Sequence, residues 1–334
     1  MPGRPAPNRR HRWIKIILVG VVVVLLSAVG AGAAYFYTLT DTVTESVTRA
    51  PDVMPAETPT AKGEAPRPSA DPQAAGAVNF VLLGSDSQDS GDSGAGRSDS
   101  IMVVHLNAER DQAYITSFPR DMYVDIPGHG KNKINAAFAF GGTKLIIQTL
   151  EGLLGTRMDH VVLIDFDGFI KLTDSLGGVT VQNDVAFTSQ GFHFPKGEIT
   201  VSGDEALAFV RARKMLPNGD LDRAKNQRNV IKAIVSKGLS KDVIANPVAL
   251  TKFVSGVAEH MTVDDALTGK EIRKLGLSLR LTPSDIYLLQ APITGFGTSP
   301  SGQSIDLVDK AQLKKLGTAM KKDAMADYLA EYGA

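Results

Sequence analysis

Short apolar runs alternate with polar turn residues along most of the chain, and this pattern predicts a domain of mixed strands and helices. Runs bounded by Gly, Asn or Asp predict strands over 80–84, 100–106, 112–118, 160–166, 178–183 and 286–290. The second and third runs are separated only by residues 107–111, so they predict a β-hairpin.

Apolar residues repeat at helical spacing in several other segments. Helices are predicted over 144–154, 167–176, 220–238, 248–260, 267–279 and 308–332. Ser202 and the three residues after it resemble a capping box, which predicts a further helix that ends at Arg213. Strands mixed with helices, some of them joined as hairpins, favour an α/β or α+β domain with a mixed sheet.

One apolar run is much longer than the others. Residues 16–37 carry no charged side chain, and about 20 residues suffice to cross a hydrocarbon core of about 30 Å. The basic tail 1–15 precedes this run, so we expect one transmembrane helix with the N-terminus in the cytoplasm and the remainder outside. A cleaved signal peptide is the alternative, because Ala31, Gly32 and Ala33 match its cleavage pattern.

The segment after the apolar run has a different composition. Residues 38–77 hold six of the 17 prolines and almost no large apolar side chains, so they predict an extended extracellular linker. The folded domain is expected to span 78–334.

Composition and charge exclude several functions. The chain has 334 residues and no cysteine, which rules out disulfides, Cys-ligated metals and a thiolate nucleophile. The chain is neutral overall, but five basic residues lie in the tail and the rest carries a net charge of −5. A slightly acidic extracellular part is a poor binder of nucleic acid. Phosphate-loop, dinucleotide, serine-hydrolase and zinc-protease motifs are absent.

Aspartates and arginines recur at the predicted ends of strands and helices. Carboxylates are hard oxygen ligands that suit Mg²⁺, and arginines present paired donors that match phosphate. Together these groups indicate a pyrophosphate site, with surface salt bridges and turn caps as the alternative. The residues concerned are Asp86, Arg97, Asp99, Arg120, Asp121, Arg211, Arg213, Arg223 and Gln227.

At these residues the chain resembles the LytR-CpsA-Psr family of cell-wall glycopolymer ligases. The similar phrases occur in one order between residues 78 and 239, behind the N-terminal apolar run. They are VNFVLLGSDS, GRSDSIMVVHL, ITSFPRDMYVDIPG, KINAAFAFGG, DHVVLIDFDGF, LGGVTVQN, GDEALAFVRARK and DLDRAKNQRNVIKAI. The resemblance implies a central mixed sheet between helix layers.

The resemblance also implies a function. It implies an extracytoplasmic, Mg²⁺-dependent phosphotransferase that moves a glycopolymer phosphate from a polyprenyl-pyrophosphate carrier to a peptidoglycan hydroxyl. The polymer would be arabinogalactan, teichoic acid or capsule. The alternatives are a hydrolase of the same lipid-linked glycan and a module that binds this glycan without catalysis. A regulator of transcription, which the family name suggests, is disfavoured by the predicted topology and by the charge.

The resemblance assigns roles to individual residues. Asp86 and Asp99 match the metal ligands, and Arg97, Arg120 and Asp99 are the expected catalytic residues. The pyrophosphate is expected to bind the residues Arg97, Arg120, Arg211, Arg213, Arg223 and Gln227. Lys133 and Asn135 fall in another family phrase, and Asn226 and Arg228 depart from the family pattern.

A polyprenyl tail requires an apolar groove beside the pyrophosphate site. Two helix faces are candidates for its wall. One carries Leu145, Ile146, Leu150 and Leu153, and the other is the apolar face of the helix over 230–235.

Overall fold

A computed structural model describes residues 38, 41, 45–57, 66–85 and 98–333 of the chain. The basic tail and the predicted transmembrane helix at 16–37 lie outside the described residues. Within the described ranges, no helix combines the length and the apolar character needed to span a bilayer.

The central sheet has seven described strands and is mixed, as predicted. The strands of the described chain are β1 Thr48–Ala50, β2 Val78–Ser85, β3 Ser98–Leu106, β4 Ala113–Ser117, β5 Tyr123–Ile126, β6 Gly130–Lys133, β7 His160–Asp165, β8 Val179–Asn183, β9 Phe187–Ser189, β10 Phe192–Phe194, β11 Gly197–Val201, β12 Thr262–Asp264, β13 Ile286–Gln290, β14 Ile293–Thr298 and β15 Ser304–Val308. The order in the sheet is β1-β12-β7-β2-β3-β4-β13. β2 is parallel to β7 and antiparallel to β3, and the β3–β4 hairpin is confirmed.

Helices cover both faces of this sheet. They are α1 Ala136–Leu154, α2 Phe166–Ser175, α3 Gly203–Arg211, α4 Asp220–Gly238, α5 Lys241–Ile244, α6 Pro247–Ala258, α7 Gly269–Ser278, α8 Lys310–Lys321 and α9 Met325–Tyr332. Because side chains alternate along a strand, Val81 and Leu83 join the core formed with α1, α8 and α9. Leu82 and Met102 lie on the other face, where Ile231 of α4 packs. The structure therefore has the layered mixed-sheet architecture that the sequence predicted.

The segment predicted to be an extended linker is partly built into the domain. Within 38–77, β1 pairs with β12 at the edge of the central sheet, and Val53 is buried in the core. The Arg67 guanidinium binds the buried Glu151 carboxylate at 2.7 Å and the Met158 carbonyl at 2.5 Å. The linker prediction is therefore wrong for these parts, because long-range pairing overrides a composition that does not form a core by itself.

Three local predictions also differ from the structure. The Ser202 side chain makes no cap, and the Gly203 N–H at the start of α3 donates to the Thr173 hydroxyl. α3 ends at Arg211 rather than at Arg213. The C-terminal helix is divided between α8 and α9, where Asp323 adopts φ 56° and accepts bonds from His105 and the Ala108 N–H. The predicted strand over 178–183 is confirmed as β8, which pairs with β11 in a separate sheet of the described chain.

Candidate active site

A cavity of about 470 Å³ lies between the central sheet and helices α2, α3 and α4. Its wall is largely apolar and includes Leu82, Met102 and Val162 from the sheet, with Phe169 and Ile231 from the helices. Alternate side chains of β2, β3 and β7 point to opposite faces of the sheet. One set packs in the main core, and the other set lines this cavity. We call this space the apolar cavity.

The apolar cavity brings together five of the predicted site residues. Arg120, Arg211, Arg213, Arg223 and Gln227 all line it, although they come from three separate segments of the chain. Among the described residues, its lining holds five cationic side chains, which are these arginines and Lys214, and one carboxylate, Asp165. Such a wall matches a ligand that joins an apolar chain to a strongly anionic group.

Arg120 lies in a tight turn directly after β4. The Met122 N–H donates to the Pro119 carbonyl at 3.0 Å, and the Asn135 N–H donates to the Arg120 carbonyl at 3.3 Å. Pro119 restricts its own φ angle, so the backbone that carries the guanidinium is held at several points. Arg120 is therefore positioned by a stiff turn.

Two carboxylates balance the arginines. The Arg120 Nε lies 3.5 Å from Asp220 and 3.9 Å from Asp121. Arg213 lies 3.4 Å from Asp220 and 3.6 Å from Asp121, and Arg223 contacts Asp220 at 2.5 Å. Each carboxylate thus orients more than one guanidinium, and Asp220 stands in the first turn of α4, where the helix dipole favours an anion.

The two remaining predicted groups are held by helix ends. Arg211 is the last residue of α3, and its guanidinium lies over the Phe166 ring at 4.6 Å from the ring centre. The Gln227 amide of α4 donates to the Val210 carbonyl at 3.3 Å. The first contact joins the end of α3 to the start of α2 and the second joins it to α4, and both polar groups line the apolar cavity.

Asp306 is a charged group in this cluster that sequence reasoning missed. It lies on β15, where its N–H donates to the Asp121 carbonyl at 2.9 Å, and it is 5 % exposed. Burial and the nearby carboxylates of Asp121 and Asp220 raise its pKa from 3.8 to about 6, against the opposing effect of Lys133 and Arg213. No local sequence signal marks it, because the contact joins residues 185 positions apart.

A second cavity of about 460 Å³ adjoins the first, and both are lined by Arg120. Asp121, Asn132, Lys133 and Asn135 contribute to its wall, and the Lys133 ammonium binds Asp121 at 2.8 Å. Lys133 and Asn135, whose family phrase carried no defined role, therefore belong to this second space. We call it the polar cavity.

The predicted metal ligands are only partly described. Asp86 and Arg97 lie outside the described residues, and Asp99 is described only as part of β3. The register pairs Ser85 with Ser98 and Gly84 with Ser100, so Asp99 stands at the end of the hairpin whose Gly84 and Ser100 line the apolar cavity. Carboxylate oxygens are the ligands that Mg²⁺ prefers, so Asp86 and Asp99 fit this ion by their chemistry. Within the described ranges, no cluster of three or more potential metal ligands occurs.

The residues that depart from the family pattern point away from the apolar cavity. Arg228 is 8 % exposed and donates to the Ser117 hydroxyl of β4, and burial lowers its pKa to about 10. Asn226 is also buried and lines neither cavity.

Of the two candidate lipid-binding faces, only the one on α4 lines the apolar cavity, through Ile231 and Ile234. The α1 face packs in the main core instead.

Comparisons with known proteins agree with this architecture. The LytR_cpsA_psr family profile matches residues 40–322. The chain is 32% identical over 317 residues to the polyisoprenyl-teichoic acid–peptidoglycan teichoic acid transferase TagU of Enterococcus faecalis, which covers 93% of this chain and 97% of that protein.

Two solved structures are similar in fold. B. subtilis TagV has a TM-score of 0.64 and 28% identity, and the match covers 75% of this chain and 97% of TagV. TagT bound to LIIa-WTA has a TM-score of 0.60 and 26% identity, with 81% of this chain and all of TagT covered.

Proposed function

The chain belongs to the LytR-CpsA-Psr family, and we propose that it attaches a glycopolymer to peptidoglycan by transfer from a polyprenyl-pyrophosphate carrier. It is a transferase, as its named relatives are. The relatives' names specify teichoic acid and peptidoglycan. For this chain we propose peptidoglycan as the acceptor and teichoic acid, arabinogalactan or capsule as the polymer.

One observation carries the proposal. A single cavity combines an apolar wall with four arginines that meet at Asp220 and around the end of α3. A polyprenyl pyrophosphate has the same two parts, a long apolar chain and a compact polyanion. Guanidinium groups bind phosphate oxygens in pairs, and burying each CH₂ of the lipid contributes about 0.8 kcal/mol.

The proposed reaction has one bond-forming and one bond-breaking event. An acceptor hydroxyl attacks the phosphorus that bears the glycan, so a new O–P bond forms while the bond to the bridging pyrophosphate oxygen breaks. Polyprenyl monophosphate leaves, and the hydroxyl proton passes to a base. The arginines stabilise the charge that develops on the phosphoryl oxygens, and the stiff turn around Arg120 holds one of these donors in place before reaction.

Mg²⁺ is part of the proposal. Asp86 and Asp99 would hold the ion, which would neutralise charge on the pyrophosphate. Asp86→Ala and Asp99→Ala are expected to weaken Mg²⁺ binding, measured by calorimetry on the unreacted protein, without lowering the thermal midpoint. Lipid-pyrophosphate cleavage that persists unchanged in EDTA would contradict the metal assignment.

The proposed topology places the reaction at the membrane surface. A helix over 16–37 would anchor the domain outside the cytoplasm, beside the bilayer that holds the polyprenyl carrier. The mass of the mature protein purified from membranes tests this, because loss of the first 33 residues would indicate a cleaved signal peptide instead.

Product analysis tests the proposed function. The purified protein is incubated with a polyprenyl-pyrophosphate-linked glycan and a soluble peptidoglycan oligosaccharide, and products are identified by mass spectrometry. Transfer predicts polyprenyl monophosphate and a phosphodiester between glycan and peptidoglycan in equal amounts. Release of free glycan phosphate at the same rate with or without the oligosaccharide would indicate the hydrolase. Binding without any cleavage would indicate the non-catalytic module.

A further inference from the structure

The polar cavity differs in chemistry from the pyrophosphate-binding region that it adjoins. Three of its six polar side chains are amides: Asn132 on β6 and Asn135 just before α1, with Gln303 from the loop before β15. An amide both donates and accepts hydrogen bonds, as a sugar hydroxyl does, whereas guanidinium groups only donate. Among the described residues, its lining holds two cations, Arg120 and Lys133, against one carboxylate, Asp121. This wall suits a neutral polyhydroxyl ligand better than a polyanion.

An exposed aromatic surface borders the same cavity. Phe140 lines it, is 46 % exposed, and stacks on the exposed His129 ring at 4.6 Å between ring centres and 13° between planes. Gly141 and Gly142 leave the helical conformation directly after Phe140 and kink α1 there. A side chain at Gly141 would bring its Cβ within 2.8 Å of Leu145, so this kink requires glycine. The aromatic pair is thus presented beside the polar groups by a defined backbone feature.

We infer that the polar cavity is a sugar subsite, in which the amides bind hydroxyl groups and Phe140 stacks against the apolar face of a pyranose ring. The volume of about 460 Å³ lies within the range of about 300–1,000 Å³ that is typical of small-molecule sites. The inference rests on the proposed function, because Arg120 would then separate the pyrophosphate of the donor from the sugar that binds beside it. We assign the sugar to the peptidoglycan acceptor, whose hydroxyl must reach the phosphorus next to Arg120.

Two variants test the subsite in the full-length protein. Phe140→Ala removes the stacking surface and Gln303→Ala removes one exposed amide. The matched control is Phe296→Ala, because Phe296 is 64 % exposed on β14 and lines neither cavity. The measured quantities are the KM values for the lipid-linked donor and for a muramidase-released peptidoglycan oligosaccharide. Calorimetric binding of the same oligosaccharide, measured without donor, reports on the subsite even if no turnover occurs.

We expect Phe140→Ala to raise the acceptor KM and the oligosaccharide Kd about tenfold, the size of one lost aromatic contact, with the donor KM unchanged. Phe140→Trp is expected to retain binding. A rise in the donor KM alone would keep the sugar subsite but assign it to the donor glycan, overturning the assignment to the acceptor. Unchanged KM values and unchanged oligosaccharide binding in both variants would overturn the subsite itself. Failure of the proposed function would differ, because the wild-type protein would then form no phosphodiester between glycan and peptidoglycan, whether or not it binds the oligosaccharide.

Discussion

The apolar cavity and the polar cavity share Arg120 but differ in almost every other respect. Among the described residues, the first combines aliphatic walls with five cations, and the second combines three amides with an exposed aromatic ring. Their origins differ as well. The apolar cavity lies between the sheet and helices α2 to α4, whereas the polar cavity is formed by the β5–β6 hairpin, the start of α1 and the loop before β15.

Under the proposed function, this difference assigns one cavity to each substrate of the transfer reaction. A donor that carries a lipid and a pyrophosphate needs burial and compensation of negative charge, which only the apolar cavity offers. An acceptor with hydroxyl groups needs paired donors and acceptors, which the polar cavity offers. Arg120 is the one described side chain that belongs to both linings. We therefore expect transfer to depend most on the residue between the cavities.

Replacing Arg120 tests its place between the cavities and is expected to have the largest effect. Arg120→Ala should lower transfer by about 10²–10³, because it removes a donor to charge that develops in the transition state. Arg120→Lys should restore little, since an ammonium lacks the paired donors. The thermal midpoint should barely change, because the ion pairs to Asp220 and Asp121 are long, at 3.5 and 3.9 Å.

Arg157→Ala is the control for Arg120, because Arg157 pairs with Glu57 and lines neither of the two cavities. Rates of transfer by the three variants and the wild type are compared at saturating acceptor. Near-normal transfer by Arg120→Ala would remove this residue from the reaction and support the salt-bridge interpretation.

Asp306→Asn tests whether the negative charge of Asp306, which lies near Asp121 and Asp220, lowers the stability of the folded protein. Because the pKa of Asp306 is raised to about 6, the folded protein binds its proton more tightly than the unfolded chain does. Ionisation therefore lowers stability as the pH rises from about 4 to about 6, by up to about 3 kcal/mol above this window. Asp306→Asn should raise the free energy of unfolding at pH 7.5 and flatten its pH dependence between 4 and 6. Urea unfolding at about pH 4 and at pH 7.5 measures both quantities. Curves that are the same for the variant and the wild type at each of these pH values would contradict the expectation.

The apolar cavity can be altered separately from the polar one. Ile231→Asn places an amide in its apolar wall and should raise the KM for a long-chain donor about tenfold, while a donor with a two-isoprene chain is affected less. Val235→Asn is the matched control, since Val235 lies one turn further along α4 and lines neither cavity. Equal changes for the long-chain and short-chain donors would show that the lipid lies elsewhere.

The smallest effect is expected at Arg228. Burial lowers its pKa to about 10, so the guanidinium stays charged at neutral pH but its charge is less stable in the folded protein than in the unfolded chain. Arg228→Gln removes this buried charge and should raise the free energy of unfolding at pH 7.5 by about 1 kcal/mol. The donor KM should stay the same, because Arg228 lines neither cavity. A large rise in the donor KM would instead place Arg228 in the site.

The sequence correctly predicted those strands and helices whose formation depends mainly on residues close together in the chain. The strands β2, β3, β4 and β7 and the helix over 220–238 were recognisable from periodicity and turn residues. Arg120, Arg211 and Arg223 were found because polar groups at element ends are visible in the sequence. Their convergence on one cavity needed the family resemblance, since spacing alone left surface salt bridges as an alternative.

The features that sequence reasoning missed depend on distant contacts. β1 was assigned to a linker because its pairing with β12 joins residues more than 200 positions apart. Asp306 lies in a short strand with no motif, and its importance arises only where β15 meets Asp121. The polar cavity was missed for the same reason, because Gln303 lies more than 160 positions from Asn132 and Asn135 in the sequence.

The most direct test is a crystal structure of the protein with a polyprenyl methylene-diphosphonate, which cannot be cleaved at the bridging position. We predict that the oxygens of the two phosphonate groups lie within hydrogen-bonding distance of the guanidinium groups of Arg120, Arg211, Arg213 and Arg223. The polyprenyl chain should fill the cavity between the sheet and α4, in contact with Ile231, and leave the polar cavity free for a sugar. A diphosphonate bound in the polar cavity, or a lipid chain bound outside the space between the sheet and α4, would contradict the assignment of the two cavities.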